Sequence, residues 1–94
     1  MATPHTTRLR RVLIDTHFGC VVDGEFDVQR ICGIVKRHYP QLCDDSDLCP
    51  QNHKNGSNYP EWKHAVRAAL KRMKELGDRV SNGKSRGMWS FRSA

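Results

Sequence analysis

The segment from Pro60 to Phe91, PEWKHAVRAALKRMKELGDRVSNGKSRGMWSF, carries the strongest structural signals in the chain. Proline suits the first turn of a helix, and Gly77 is typical of the position just after a helix ends. Apolar residues recur between them at helical spacing, on a face predicted to contain Trp62, Val66, Ala69, Leu70, Met73 and Leu76. The pattern predicts a helix over 60–76.

Two short β-prone runs follow this helix. Val80, Trp89 and Phe91 alternate as the inward-facing residues of the two runs. The sequence SNGKSRG between them contains an Asn-Gly pair, which is a strong turn signal. We therefore expect a β-hairpin over 79–91 with a flexible basic tip.

A first short helix is predicted from Thr7 to about Thr16. Leu9, Val12 and Leu13 recur at helical spacing, and three arginines occupy the positions predicted to face water. These arginines are Arg8, Arg10 and Arg11. The sequence FGCVVDGEF that follows suits a short strand or an extended link, because its Asp-Gly pair is a turn signal between β-prone residues.

A second helix is predicted to begin after Asp27, which suits the N-cap position, and to end near Tyr39 and Pro40. Its apolar stripe contains Val28, Ile31, Cys32 and Val35. Because Cys32 lies on that stripe, it is interpreted as an ordinary core thiol.

The length and composition indicate one small domain. The chain has 94 residues, 37% hydrophobic and 28% charged, which supports a single thin core. The expected organisation is a disordered lead over 1–6 and one domain over 7–94 with a long loop at 41–59. The aromatic residues expected to anchor the core are Trp62, Trp89, Phe26, Phe91 and Tyr39.

The loop at 41–59 has no apolar periodicity and is rich in Asp, Asn, Ser and Gly. Cys43, Cys49 and His53 within it offer thiolate and imidazole ligands for a structural zinc ion. Their spacing is wider than in common zinc sites, so a plain solvated loop without cofactor is the favoured alternative. The aspartates of this loop could also bind a hard cation weakly; they are Asp44, Asp45 and Asp47.

Positive charge dominates the chain and concentrates on its last third. The net charge is +6, which favours phosphate-bearing partners but is also common in proteins without them. The predicted solvent-exposed face of the helix over 60–76 and the hairpin tip together supply the candidate DNA-binding residues Lys63, His64, Arg67, Lys71, Lys74, Lys84 and Arg86.

The order helix, short strand, helix, helix, hairpin resembles the winged helix-turn-helix fold from about Thr7 to Phe91. The sequences PEWKHAVRAALKRMKELGDRV and RGMWSF are similar to winged-helix domains attached to Mrr-type and other restriction endonucleases, in which a Trp, an Arg and a closing Gly-aromatic hairpin recur. The resemblance implies that Trp62 and Trp89 are core residues and that Arg67 lies on a recognition helix. The long loop between the second and third helices departs from this pattern.

The expected fold is therefore α+β, a winged helix-turn-helix with three helices and a C-terminal β-hairpin wing. The expected function is non-enzymatic binding of double-stranded DNA, with the helix over 60–76 in the major groove and the wing over 79–91 on the backbone. A protein-interaction module with the same core is the alternative, with a nuclease or transcription component as partner. An enzyme using the middle loop is disfavoured, because base, nucleophile and orienting group cannot be assembled from the sequence.

The sequence has no apolar run of the roughly 18 residues that a membrane-spanning helix requires. The N-terminus also lacks the apolar core of a secretion signal. The expected location is the cytoplasm, in association with the nucleoid if the source is bacterial, and the four cysteines are expected to be thiols or metal ligands.

Overall fold

The computed structural model describes residues 4–46 and 60–92. This part of the chain is α+β, with three α-helices and one three-stranded antiparallel sheet. The elements in chain order are α1 (Pro4–Asp15), β1 (Gly24–Asp27), α2 (Val28–His38), a short 3-10 helix (Pro40–Leu42), α3 (Glu61–Glu75), β2 (Val80–Asn82) and β3 (Met88–Phe91).

Helix α1 begins at Pro4, three residues earlier than predicted. The fixed φ angle of proline is compatible with a first helical turn, so residues 4–6 of the predicted lead belong to the helix, while residues 1–3 lie outside the described residues. Leu9 and Leu13 are fully buried, and Val12 packs against them at the edge of the core. The predicted inward face of α1 is therefore confirmed.

The C-terminus of α1 turns sharply into the following connection. The His17 backbone N–H donates to the Ile14 carbonyl at 3.0 Å, and that of Phe18 donates to the Leu13 carbonyl at 2.8 Å. This paired pattern needs a left-handed residue after the helix, and His17 has φ 53° where glycine is usual. Phe18 also has positive φ, at 52°, and its side chain enters the core.

Helix α2 has the predicted cap and stripe. The Asp27 side chain accepts a hydrogen bond from the Arg30 backbone N–H at 2.7 Å, as an N-cap residue does. Ile31, Cys32 and Val35 are buried, so Cys32 is a core thiol as expected. The helix ends at His38, two residues before Pro40.

Helix α3 follows its sequence signals to within one residue at each end. Pro60 is the N-cap, and Gly77 closes the far end with φ 67°. The predicted apolar face is buried with one exception. Leu76 is 53% exposed, because it lies in the C-cap beyond the last turn that the core covers, and Ala65 is buried instead.

The sheet has the strand order β1-β3-β2. The predicted hairpin is present, and β1 adds to its β3 side in antiparallel register, with Phe26 opposite Trp89. Val80 lies opposite Phe91 across the hairpin. Opposite residues of an antiparallel pair share a face, so these four side chains all point towards the helices.

The core lies between the three helices and this face of the sheet. Of the expected anchors, Trp62 and Phe91 are buried, while Phe26, Tyr39 and Trp89 are partly buried at its margin. Phe18 is a further anchor, with its ring centroid 5.6 Å from that of Phe91 in an edge-to-face contact. Across residues 4–46 and 60–92, no helix combines the length and apolar character that crossing a membrane requires.

Candidate nucleic-acid interface

The cations predicted on α3 share one side of the helix. At about 100° per residue they fall within an arc of roughly 100° on the side away from the buried face. We call this set the basic stripe; it consists of Lys63, His64, Arg67, Lys71 and Lys74. Lys63 and His64 are half-buried, and the other three are exposed. The exposure of the stripe therefore increases along α3, from partly buried at its N-terminal end to exposed towards its C-terminal end.

One edge of the basic stripe lies beside α2. Burial raises the pKa of the Cys32 thiol on α2, and the positive charges of Lys63 and Arg67 oppose this shift from nearby. The Lys63 ammonium is also 5.8 Å from the centre of the Trp62 ring. The N-terminal half of α3 thus presents its cations at the junction between the two helices.

The start of α3 is fixed by Trp62, whose side chain is buried. Its indole N–H donates to one carboxylate oxygen of Asp45 at 2.8 Å, while Lys36 of α2 pairs with the other oxygen. The hydrogen bond from Lys36, and then the one from Trp62, lowers the pKa of Asp45. Asp45 is predicted from the sequence as a weak ligand for a hard cation, but in the structure it joins α2 to α3, because both of its oxygens have protein donors.

The hairpin tip carries the two other predicted cations. Lys84 and Arg86 are both exposed in the loop between β2 and β3. The loop is closed by a hydrogen bond from the Gly83 backbone N–H to the Met88 carbonyl at 2.8 Å. Gly87 has φ 83°, so the glycine in the RGMWSF sequence supplies the positive φ that this turn requires.

The hairpin tip is held by the carboxylate of Glu25, a contact that the sequence did not predict. One side-chain oxygen of Glu25 on β1 accepts a hydrogen bond from the Lys84 backbone N–H at 2.7 Å. A Cβ atom on Gly83 would lie only 2.7 Å from that same oxygen, so glycine is what lets Glu25 approach. No local signal could reveal this contact, because it depends on the pairing of β1 with β3.

Arg79 is the second residue that sequence reasoning missed. Its side chain is 13% exposed and donates to the backbone carbonyls of His17, Phe18 and Val21, at 3.3, 2.7 and 2.6 Å. It also donates to the Arg92 carbonyl and pairs with Asp23. Arg79 is therefore a structural connector between the α1–β1 connection and the hairpin, and not part of the exposed basic surface.

Of the three proposed zinc ligands, the structure describes one. Cys43 is buried, and the apolar surroundings raise the pKa of its thiol to about 11. Cys49 and His53 lie outside the described residues, so the geometry of this set stays a prediction. Among residues 4–46 and 60–92, no group of three or more His, Cys, Asp or Glu side chains could hold a metal ion.

Comparison with protein-family models, curated proteins and solved structures gave no match for this chain.

Proposed function

We propose that this chain is a non-enzymatic DNA-binding protein of the winged-helix type. The observation that carries the proposal is the topology of the sheet around the hairpin. A strand between α1 and α2 pairs with β3, so the basic tip joining β2 to β3 lies beside the start of α2. Helix α3, with its basic stripe, follows α2 and leads directly into this hairpin.

The dimensions of α3 support insertion into the major groove. A helix of 15 residues is about 22 Å long, and the groove of B-DNA, about 12 Å wide, admits an α-helix. Arg67 lies near the middle of the basic stripe and is exposed. Its planar guanidinium matches the two acceptors of guanine, a geometry that lysine cannot reproduce. Arg67 is thus the candidate for base recognition.

The hairpin tip has a different role in this proposal. Lys84 and Arg86 carry positive charge on a loop whose backbone Glu25 holds in place. Contacts from such a loop to phosphates position a protein on DNA and add affinity, but they carry little sequence information. The tip would therefore contribute to binding of every duplex to a similar extent.

These two roles give the test of the proposal. Arg67→Ala should weaken binding to a preferred duplex by about 1 to 3 kcal/mol, and binding to random duplexes by less. Lys84→Ala and Arg86→Ala should weaken all duplexes alike, each reducing the slope of log affinity against log salt by about one unit. Fluorescence anisotropy over a salt series measures both effects.

Arg11→Ala is the matched control, because it removes one exposed positive charge on α1, outside the basic stripe and the tip. Circular dichroism must first establish that every variant is folded. If Arg67→Ala binds all duplexes as the unmodified chain does, α3 is not a recognition helix. The protein-interaction alternative would then take its place.

A further inference from the structure

A surface groove runs between α1 and α3. Its volume is about 440 Å³. The residues that line it are Arg10, Ile14, Ala68, Lys71, Arg72 and Glu75. Apart from Lys71, these residues belong neither to the basic stripe nor to the hairpin tip. Ala68 is about 100° around α3 from Arg67, so the groove faces a different direction from the proposed base-reading side chain.

The groove has an apolar floor and a basic rim. Ile14 and Ala68 are half-buried, and the four charged residues are exposed. Three cations and one carboxylate give the rim a net charge of 3 − 1 = +2. Glu75 lies 3.8 Å from Arg72, whereas no ion pair joins Arg10 or Lys71 to any residue that the structure describes. Two positive charges therefore flank an aliphatic surface.

The two walls of the groove are tied together at their C-terminal ends. His17, just after α1, contacts Asp78, just after α3, with a His17 Nδ1 to Asp78 Oδ2 distance of 2.5 Å. Arg79 adds a hydrogen bond to the Phe18 carbonyl at 2.7 Å. These contacts fix the ends of α1 and α3 side by side, so the groove is preformed and does not have to open for a partner.

We propose that this groove binds an acidic amphipathic helix of a partner protein. A third helix can pack in the channel between two neighbouring helices, and a small residue such as Ala68 lets its backbone approach closely. Apolar side chains of that helix would cover Ile14 and Ala68, and acidic side chains would pair with Arg10 and Lys71. The proposal does not rest on the DNA-binding function, because the groove does not require Arg67 or the hairpin tip; Lys71 is the one residue that the groove shares with the basic stripe.

Nucleic acid fits this groove less well than an acidic helix does. Phosphate backbone has no apolar surface to cover the aliphatic floor, and the Glu75 carboxylate at the rim repels it. A protein helix can place an apolar residue over the floor and keep acidic residues away from Glu75. The chemistry of the groove therefore favours a peptide ligand.

The test uses the full chain, labelled with ¹⁵N, and synthetic helical peptides of about 18 residues, or five turns. One peptide carries leucines at helical spacing with glutamates on both flanks. A second replaces the glutamates with lysines, and a third replaces the leucines with serines. We expect saturable shifts at Ile14 and Ala68 with the first peptide alone, at a Kd below about 1 mM.

Arg10→Glu should weaken binding of the acidic peptide by about 3- to 10-fold, since it reverses a charge at the rim. Arg11→Glu changes the net charge equally but lies outside the groove, and it should change the Kd by less than about twofold. Ala68→Gln, which fills the floor without altering charge, should also weaken the peptide and leave binding of duplex DNA unchanged.

Three outcomes would overturn the proposal: no binding of the acidic peptide at 1 mM, on the order of the weakest affinity expected; equal losses for Arg10→Glu and Arg11→Glu; or shifts confined to the basic stripe. Duplex DNA shifting Ile14 and Ala68, with affinity lost in Ala68→Gln, would also overturn it and assign the groove to nucleic acid. If the chain binds the peptide but does not bind duplex DNA, the proposed DNA-binding function is wrong and the groove proposal stands.

Discussion

At the level of single side chains, Arg79 explains how the connection after α1 keeps its shape. Backbone carbonyls that no helix or sheet satisfies must find other donors. The planar guanidinium supplies several donors at once, and three of them reach carbonyls between His17 and Val21. The Arg79 guanidinium also lies 5.7 Å from the centre of the Phe91 ring.

Arg79→Ala should lower the free energy of unfolding by about 2 to 4 kcal/mol, because it removes the Arg79 donor to the partly buried Val21 carbonyl, one of the two donors to the Phe18 carbonyl, and the ion pair with Asp23. Arg79→Lys should recover little of this loss, since an ammonium group cannot span the same acceptors. Urea unfolding followed by tryptophan fluorescence measures both values. Arg92→Ala is the control, since the Arg92 side chain is exposed and its carbonyl is retained. A change in Arg79→Ala no larger than in this control would contradict the role given to Arg79.

Cys43 gives a pH dependence with a defined sign. Burial raises the pKa of its thiol from 9.0 to about 11, so the folded chain binds this proton more tightly than the unfolded chain does. The stabilisation is complete below pH 9 and is lost as the pH rises from there through about 11. In Cys43→Ala the loss of stability over this range should be smaller. Urea unfolding at a series of pH values measures this loss. If the free energy of unfolding falls with pH equally in both chains, the pH dependence does not come from Cys43.

At the level of helices and strands, features that depend on neighbouring residues could be predicted from the sequence, whereas contacts between distant residues could not. The Asp27 cap, the Gly77 stop and the apolar stripe of α3 each depend on neighbours within a few residues, and they are confirmed except at Leu76, which is exposed. Periodicity alone places Leu76 on the apolar face, because it does not mark where the core ends. The pairing of β1 with β3 joins residues more than 60 positions apart, so no local pattern contains it.

The same limit applies to the candidate site. The charges of the basic stripe and the hairpin tip could be predicted, because cations on a helix face and in a turn are visible in the sequence. Glu25, Asp45 and Arg79 could not be assigned their roles, because each contacts an element that is distant in sequence. Whether the stripe binds DNA stays a prediction.

The contact from Glu25 to the hairpin tip can be tested separately from DNA binding. Glu25→Ala should speed amide exchange at Lys84 by about tenfold, since the N–H loses a charged acceptor worth about 1.5 kcal/mol. Glu25→Gln retains an acceptor oxygen and should change exchange less. Hydrogen exchange followed by NMR measures this, with the Arg30 N–H, bonded to Asp27, as the internal reference. Equal exchange at Lys84 in all three chains would show that Glu25 does not hold the tip.

At the level of the whole chain, metal content decides between the two interpretations of the middle loop. Cys43 packs in the core as a buried thiol, which favours the interpretation without zinc. We expect purified protein to contain no stoichiometric metal and to keep its thermal midpoint when a chelator is added. Mass spectrometry of metals and a thermal melt test this. One equivalent of zinc, with a midpoint lowered by chelator, would restore Cys43, Cys49 and His53 as ligands.

The position of β3 in the sheet has a consequence for the order of events during synthesis. β3 is the central strand, yet it is the last of the three to leave the ribosome. Until it emerges, β1 and β2 have no partner, and Phe18 and Phe26 lack the ring of Phe91. The nascent chain therefore carries uncovered aromatic surface until residues 88–91 appear, which makes it a candidate for chaperone protection at that stage.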